Sequence, residues 1–225
     1  MATNRKVIFA NKEIYHVYNR GVERRTVFTN KKEYQKAIDL IRYYRLTDLP
    51  MRYSQFRSLP VPTQETVWGK ILKENRPEIV VIAYCLMPNH FHIVLRQSSE
   101  RGITRFMANL SNSFTKYFNK KYRRVGSLFQ GPFKAKHVET EEQLLHLTRY
   151  VHLNPVASFL LKLDDLESYP WSSFSEYLRE DSDICEIEWI KTHFPKTEQH
   201  KKFVYDQADY AQKLEKIKHI ALAEN

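Results

Sequence analysis

The residues able to do chemistry gather in two short stretches. The first is MPNHFHIVL, residues 87–95, where His90 and His92 flank Phe91. Strand side chains alternate faces, so His90, His92 and Val94 share one face, while Phe91, Ile93 and Leu95 share the other. The apolar trio can seal onto a core. The two imidazoles then project together, about 6.6 Å apart along the strand. Two neutral ring nitrogens at that separation can converge on a borderline divalent ion such as Mn²⁺, leaving positions for oxygen ligands. Taken alone, the tripeptide also fits core filler or unrelated surface residues. A zinc site wants a further Cys or His at ligand spacing, and His137, His146 and His152 fall in no such pattern.

The second stretch is RYVHLN, residues 149–154. Tyr150 and Asn154 stand at i and i+4, about 6 Å apart on one face of a helix. A tyrosine phenol becomes a nucleophile toward phosphorus once its proton is removed or its oxygen polarised. An amide oxygen is a competent ligand for a hard cation. A metal held by His90, His92 and Asn154 would lie within reach of Tyr150. For any one of 14 tyrosines, an ordinary packing role is the default. His146 shares the helical face of Tyr150 at i−4, yet it and His152 read as bystanders rather than general bases.

The elements that must position these residues can be read from periodicity. IYHVYNRGV (14–22) reads as a strand ending at Gly21. Residues 31–46 place Tyr34, Ala37, Ile38, Ile41 and Tyr44 at helical spacing. Residues 47–77, with prolines in a polar context, read as a loop or insertion with a short helix in TQETVWGKILKEN. IVVIAYCLM (79–87) is apolar on both faces, as a central strand is. Pro88-Asn89 marks a turn, and HFHIVLRQ (90–97) completes a hairpin. Residues 101–122 carry an apolar stripe from Ile103 to Phe118 at three- and four-residue spacing. KAKHVE (134–139) reads as a strand. Residues 139–154 read as a helix with an acidic first turn, stopped by Pro155. YPWSSFSEYL (169–178) is expected to pack back as an aromatic patch, and 199–220 to form a last charged amphipathic helix. The order β, α, β–β, α, β, α predicts an α+β fold: an antiparallel sheet of ferredoxin or RNA-recognition type with helices packed on it.

The formal net charge is +10, and its distribution is uneven. Residues 101–138 hold nine cations and no Asp or Glu: Arg101, Arg105, Lys116, Lys120, Lys121, Arg123, Arg124, Lys134 and Lys136. Such a run can grip a phosphate backbone. Two cysteines a hundred residues apart, Cys85 and Cys185, make no CxxC and no disulfide framework, which fits a reducing cytoplasm. No apolar run is long enough to span a bilayer, and the N-terminus lacks a signal-peptide layout. The expectation is a cytoplasmic protein with no membrane partner.

MPNHFHIVL, GSLFQGPFKAKHV, RYVHLNPV and PWSSFSEY, in that order, resemble the REP-associated tyrosine transposases of the single-tyrosine HUH superfamily. The resemblance spans about residues 8–178, and its strongest parts are AYCLMPNHFH and YVHLNPV. It implies that His90 and His92 are metal ligands, Asn154 the third protein ligand and Tyr150 the nucleophile. The implied activity is a single-stranded DNA endonuclease and strand transferase acting on palindromic hairpin DNA. It would depend on Mg²⁺ or Mn²⁺ and pass through a 5′-phosphotyrosine link. The resemblance also implies a domain over 1–178, with a C-terminal helical extension (179–225) of unplaced role. A monomer is favoured, with a homodimer as the alternative. Two rival readings stay open: a catalytically silent hairpin-binding protein using the basic helix and aromatics to stack bases, and, more weakly, a structural zinc protein.

Overall fold

The computed structural model describes residues 7–214. Its centre is one four-stranded sheet of order β2-β3-β1-β4, built from β1 (Ile14–Arg20), β2 (Ile79–Met87), β3 (His90–Gln97) and β4 (Lys134–Val138). All three pairings are antiparallel. This is the ferredoxin-like topology that the element order predicts.

Alternation along the strands splits the molecule into two layers. Tyr15, Val17, Tyr84, Leu86, Phe91, Ile93 and Leu95 point to one face. There they bury the stripes of α1 (Lys31–Tyr44) and α4 (Gly102–Lys121). Phe91 is 3 % exposed and meets Phe129 edge-on at 5.6 Å, so it anchors β3 to this core as its position in HFH predicts. The opposite face carries Ala83, Cys85, Met87 and Val94 against Leu144 and Val151 of α5 (Glu141–Ala157).

Residues 47–77 hold more helix than the prolines suggest: α2 (Tyr53–Phe56) and the fourteen-residue α3 (Val61–Glu74). Pro62 lies in the first turn of α3, where a missing N–H costs nothing. At the other end of the chain, α5 does not stop at Pro155 but runs through it to Ala157. Proline in the last turn loses a single backbone bond. Burial of Leu153 and Val156 among Leu166, Phe174 and Val204 offsets that loss.

The 169–178 segment does pack back. Trp171 stacks on Tyr34 at 4.8 Å, and the Tyr169 and Tyr177 hydroxyls donate to the carbonyls of Leu86 and Ile82. It leads into α6 (Phe174–Arg179) and covers the outer edge of β2, which would otherwise be open for pairing. After α7 (Glu188–Lys191) comes α8 (Thr197–Tyr205), docked on α5; residues 208–214 are again helical. The expected last helix reaches beyond the described residues. Both cysteines are buried thiols. Among the described residues no helix is long and apolar enough to cross a membrane.

The α5–α8 junction is built on two buried histidines, His152 and His200, with ring centroids 6.0 Å apart. Burial pushes His200 down to about 4, and burial and the nearby His200 push His152 down as well. The unfolded chain takes up these protons near pH 6.5, whereas the folded chain resists them. Stability from His200 is therefore complete above pH 6.5 and declines as pH falls toward 4, by up to about 3 kcal/mol. The melting temperature is expected to drop across that window, with a shallower slope in His200→Phe; parallel slopes for the two proteins would refute this account.

Candidate active site

The turn before β3 is clamped from three sides. The Gly21 N–H donates to the Asn89 carbonyl, and the Val27 and Phe28 N–H groups donate to Pro88. A Cβ on Gly21 would lie 2.3 Å from the Arg25 carbonyl oxygen, so the chain can turn this closely only with glycine. The clamp sets where β3 begins and hence where His90 stands. His90 Nδ1 is 2.6 Å from Asn89 Oδ1. A carboxamide oxygen only accepts, so Nδ1 carries the ring proton and Nε2 the lone pair.

His92, 7 % exposed, lies with its ring 5.1 Å from that of His90 at an interplanar angle of 89°. The Tyr150 ring meets His92 edge-on at 5.5 Å and is itself 42 % exposed. Asn154, one helical turn further along, is buried; its Nδ2 donates to the Tyr150 carbonyl at 3.0 Å. That leaves Oδ1 as the lone-pair atom of the amide. The structure thus brings His90, His92, Tyr150 and Asn154, four residues from two distant segments, into one cleft of about 520 Å³.

The donor set fits a divalent ion in one specific sense. Among the described residues no group of three or more His, Cys, Asp or Glu is gathered as a metal site. A cation here would rest on two imidazole nitrogens and one amide oxygen, all neutral, with coordination completed by water or phosphate oxygens. That suits Mg²⁺ or Mn²⁺ better than a closed structural zinc site.

The cleft contains residues that the sequence reading did not single out. Arg20, Arg24, Arg149 and Gln130 line it with Lys134, and among the described residues no Asp or Glu does. His16 and Tyr18 stand beside His92: His16 Nε2 is 2.8 Å from His92 Nδ1, and the Tyr18 ring stacks on His92 at 5.7 Å. Burial, helped by the charge of Lys136, lowers His16 to about 4, so it is neutral at pH 7. The alternation that picked out His90 and His92 holds equally for His16, Tyr18 and Arg20 in IYHVYNR, and would have put them on the same face. Gln207, Tyr210 and Leu214 close the outer side of the cleft. The C-terminal extension, unplaced from sequence, is a wall of this site.

The basic run divides between the two faces. Lys134 and Lys136 sit on β4 directly across from Tyr18 and His16, on the cleft side. The other seven belong to α4 and its ends, on the far layer. Arg105 is engaged by Glu78, and Lys121 by the fully buried Glu33 at 2.9 Å. Arg124 bonds Asn119. Arg101 and Arg123 adopt left-handed backbone at the two ends of the helix. Lys116 and Lys120 line a separate recess of about 720 Å³ with Lys36 and Arg52. His146 lines the cleft and accepts from Arg149, while His152 is buried against Ser173 Oγ and is structural.

Lys121 is accordingly expected to act on stability. Lys121→Ala removes the charged partner of a buried carboxylate that also accepts from Thr29 and Tyr122. The expected cost is about 1–3 kcal/mol, read as a melting temperature several degrees lower. An unchanged melting temperature would show that the pair contributes nothing.

The fold and cleft define a class: an antiparallel α+β chain that sets a tyrosine against paired imidazoles in a basic groove. Residues 55–154 match the family model described as Transposase IS200 like. That stretch, which includes His90, His92, Tyr150 and Asn154, is similar to the IS200-like transposases. Its fold is similar to that of a solved REP-associated tyrosine transposase bound to a REP hairpin: TM-score 0.55 and 14 % identity, over 84 % of this chain and 91 % of that one. A provisionally assigned transposase from Deinococcus radiodurans R1 aligns over 67 % of this chain and 95 % of its own, at 15 % identity and a TM-score of 0.35, too low to bear on the fold. No curated protein matches the chain.

Proposed function

We propose that this protein is a transposase of the IS200-like kind: a metal-dependent single-stranded DNA endonuclease and strand transferase acting on hairpin DNA. The observation that carries the reading is the half-exposed Tyr150 ring set against His92, in a cleft lined by Arg20, Arg24, Arg149 and Lys134.

In the proposed reaction the Tyr150 oxygen attacks a phosphorus of the bound strand. The new bond is a 5′-phosphotyrosine ester; the bond that breaks is that between phosphorus and the 3′ oxygen. The phenol loses its proton and the departing oxygen takes one up, leaving a 3′-OH. Attack by another 3′-OH reverses the step and joins the strands, so the ester conserves the phosphodiester and no external energy source is needed. His90, His92 and Asn154 would hold a divalent cation, which when bound polarises the scissile phosphate and offsets its developing charge. Arg20, Arg24, Arg149 and Lys134 hold flanking phosphates in register. Tyr150 faces imidazoles of its own chain, which supports a monomer acting in cis.

The test is incubation with single-stranded hairpin DNA and Mn²⁺, followed by a denaturing gel. The expected product is a protein–DNA adduct with a matching 3′-OH fragment. Hairpin binding without any adduct would favour the catalytically silent reading. Affinity is also expected to fall steeply with salt, since each neutralised phosphate releases counterions. A flat response between 50 and 200 mM salt would remove the role given to the cleft cations.

A further inference from the structure

We propose that His16 is a positioning residue that sets the tautomer and ring plane of His92; the inference rests on the reading of His92 as a cation ligand. Both side chains are nearly inaccessible, at 8 % and 7 % exposed. Their rings lie 5.0 Å apart at 23°, and His16 Nε2 is 2.8 Å from His92 Nδ1. Tyr18 stacks beside both, 4.9 Å from His16 and 5.7 Å from His92. The strand register explains the contact. Tyr18 pairs with His92 and His16 with Val94, so the two imidazoles are diagonal neighbours on one face of adjacent strands.

A hydrogen bond between two ring nitrogens needs one donor and one acceptor, and each neutral imidazole carries one proton. Two arrangements satisfy it. In one, His16 Nε2–H donates; the proton of His92 then sits on Nε2, which cannot ligate. In the other, His92 Nδ1–H donates to His16 Nε2, His16 carries its own proton on Nδ1, and His92 Nε2 presents a lone pair. A cation at His92 Nε2 selects the second arrangement. His16 therefore does for His92 what Asn89 Oδ1 does for His90: it accepts from Nδ1 and keeps Nε2 a ligand. Both acceptors are neutral. A carboxylate in either place would orient the ring equally well, but it would put negative charge where phosphates must bind. The cleft as built orients its ligands and stays attractive to a polyanion.

The test uses the full chain in three forms: wild type, His16→Phe, which keeps a stacking ring without an acceptor, and His16→Gln, whose amide oxygen can accept near the Nε2 position. Mn²⁺ affinity without DNA is read from the electron paramagnetic resonance signal of unbound Mn²⁺. Hairpin affinity in EDTA and the melting temperature are followed in parallel. His16→Phe is expected to weaken Mn²⁺ binding roughly 10- to 100-fold with hairpin affinity unchanged, and His16→Gln to recover most of the loss. A folded His16→Phe that binds Mn²⁺ as wild type does would overturn the inference while leaving the cation site standing. Absence of Mn²⁺ binding by wild type would overturn both. Should the variant not fold, nitrogen-15 spectra of wild-type imidazoles with Mg²⁺ decide: the Nδ1–H tautomer at both His92 and His16 is expected, and an Nε2–H tautomer at His92 refutes the role.

Discussion

Tyr150→Phe is expected to abolish the protein–DNA adduct while leaving hairpin affinity and the melting temperature close to wild type. The substitution deletes one oxygen and keeps the ring. That ring contributes the edge-on contacts to His92 at 5.5 Å and His16 at 6.2 Å, which phenylalanine reproduces. With 42 % of the residue exposed, little desolvation energy hangs on the hydroxyl. What is lost is the attacking atom; among the other described residues of the site, His146 is held by Arg149, Tyr18 packs beside His16 and His92, and Tyr210 stands on the outer wall. The loss should be at least about 10³-fold, equivalent to about 4 kcal/mol of barrier. A denaturing gel with labelled hairpin reads it directly. If the variant still links DNA, the nucleophile is a different residue.

His90→Ala is expected to separate chemistry from binding. His90 opens β3 after the clamped turn and is only half-buried, so its removal should leave the strand in place. Arg20, Arg24, Arg149 and Lys134 remain to hold the backbone, so hairpin affinity should stay within about threefold of wild type. Cleavage should fall by at least about 10²-fold, the scale seen when one fixed partner of developing charge is removed. Mn²⁺ affinity should fall with it. Equal losses of binding and cleavage would instead assign His90 to recognition or folding. The two variants are complementary: one removes the attacking atom and keeps the metal ligands, the other removes a ligand and keeps the attacking atom.

Much of this site was legible in sequence because its parts are local. Alternation in HFHIVL sends His90, His92 and Val94 one way and Phe91, Ile93 and Leu95 the other, and the core follows it: Phe91, Ile93 and Leu95 fall in one cluster and Val94 in the other. The i, i+4 spacing of Tyr150 and Asn154 survives because α5 is regular across both. The tertiary balance overrode one local rule. Proline ends a helix that has nothing to gain by continuing, but Leu153 and Val156 gain a core by staying helical past it. The basic run from 101 to 138 looks like one patch when counted along the chain. The fold cuts it at the sheet, with Lys134 and Lys136 on the cleft face and α4 on the other, and Glu33 and Glu78 engage two of the cations outright.

By itself, then, the amino-acid sequence determined the elements, their faces and the residue types able to hold a cation or attack phosphorus. These depend on side-chain period and chemistry within a few residues. Only the tertiary structure showed which side chains that sheet brings together: His16 within 2.8 Å of His92, and Lys134 across from Tyr18. Only it placed residues 207–214 beside Tyr150. Such neighbours are set by strand order and helix docking, which emerge from burying every apolar face at once and leave no trace in the spacing of residues along the chain.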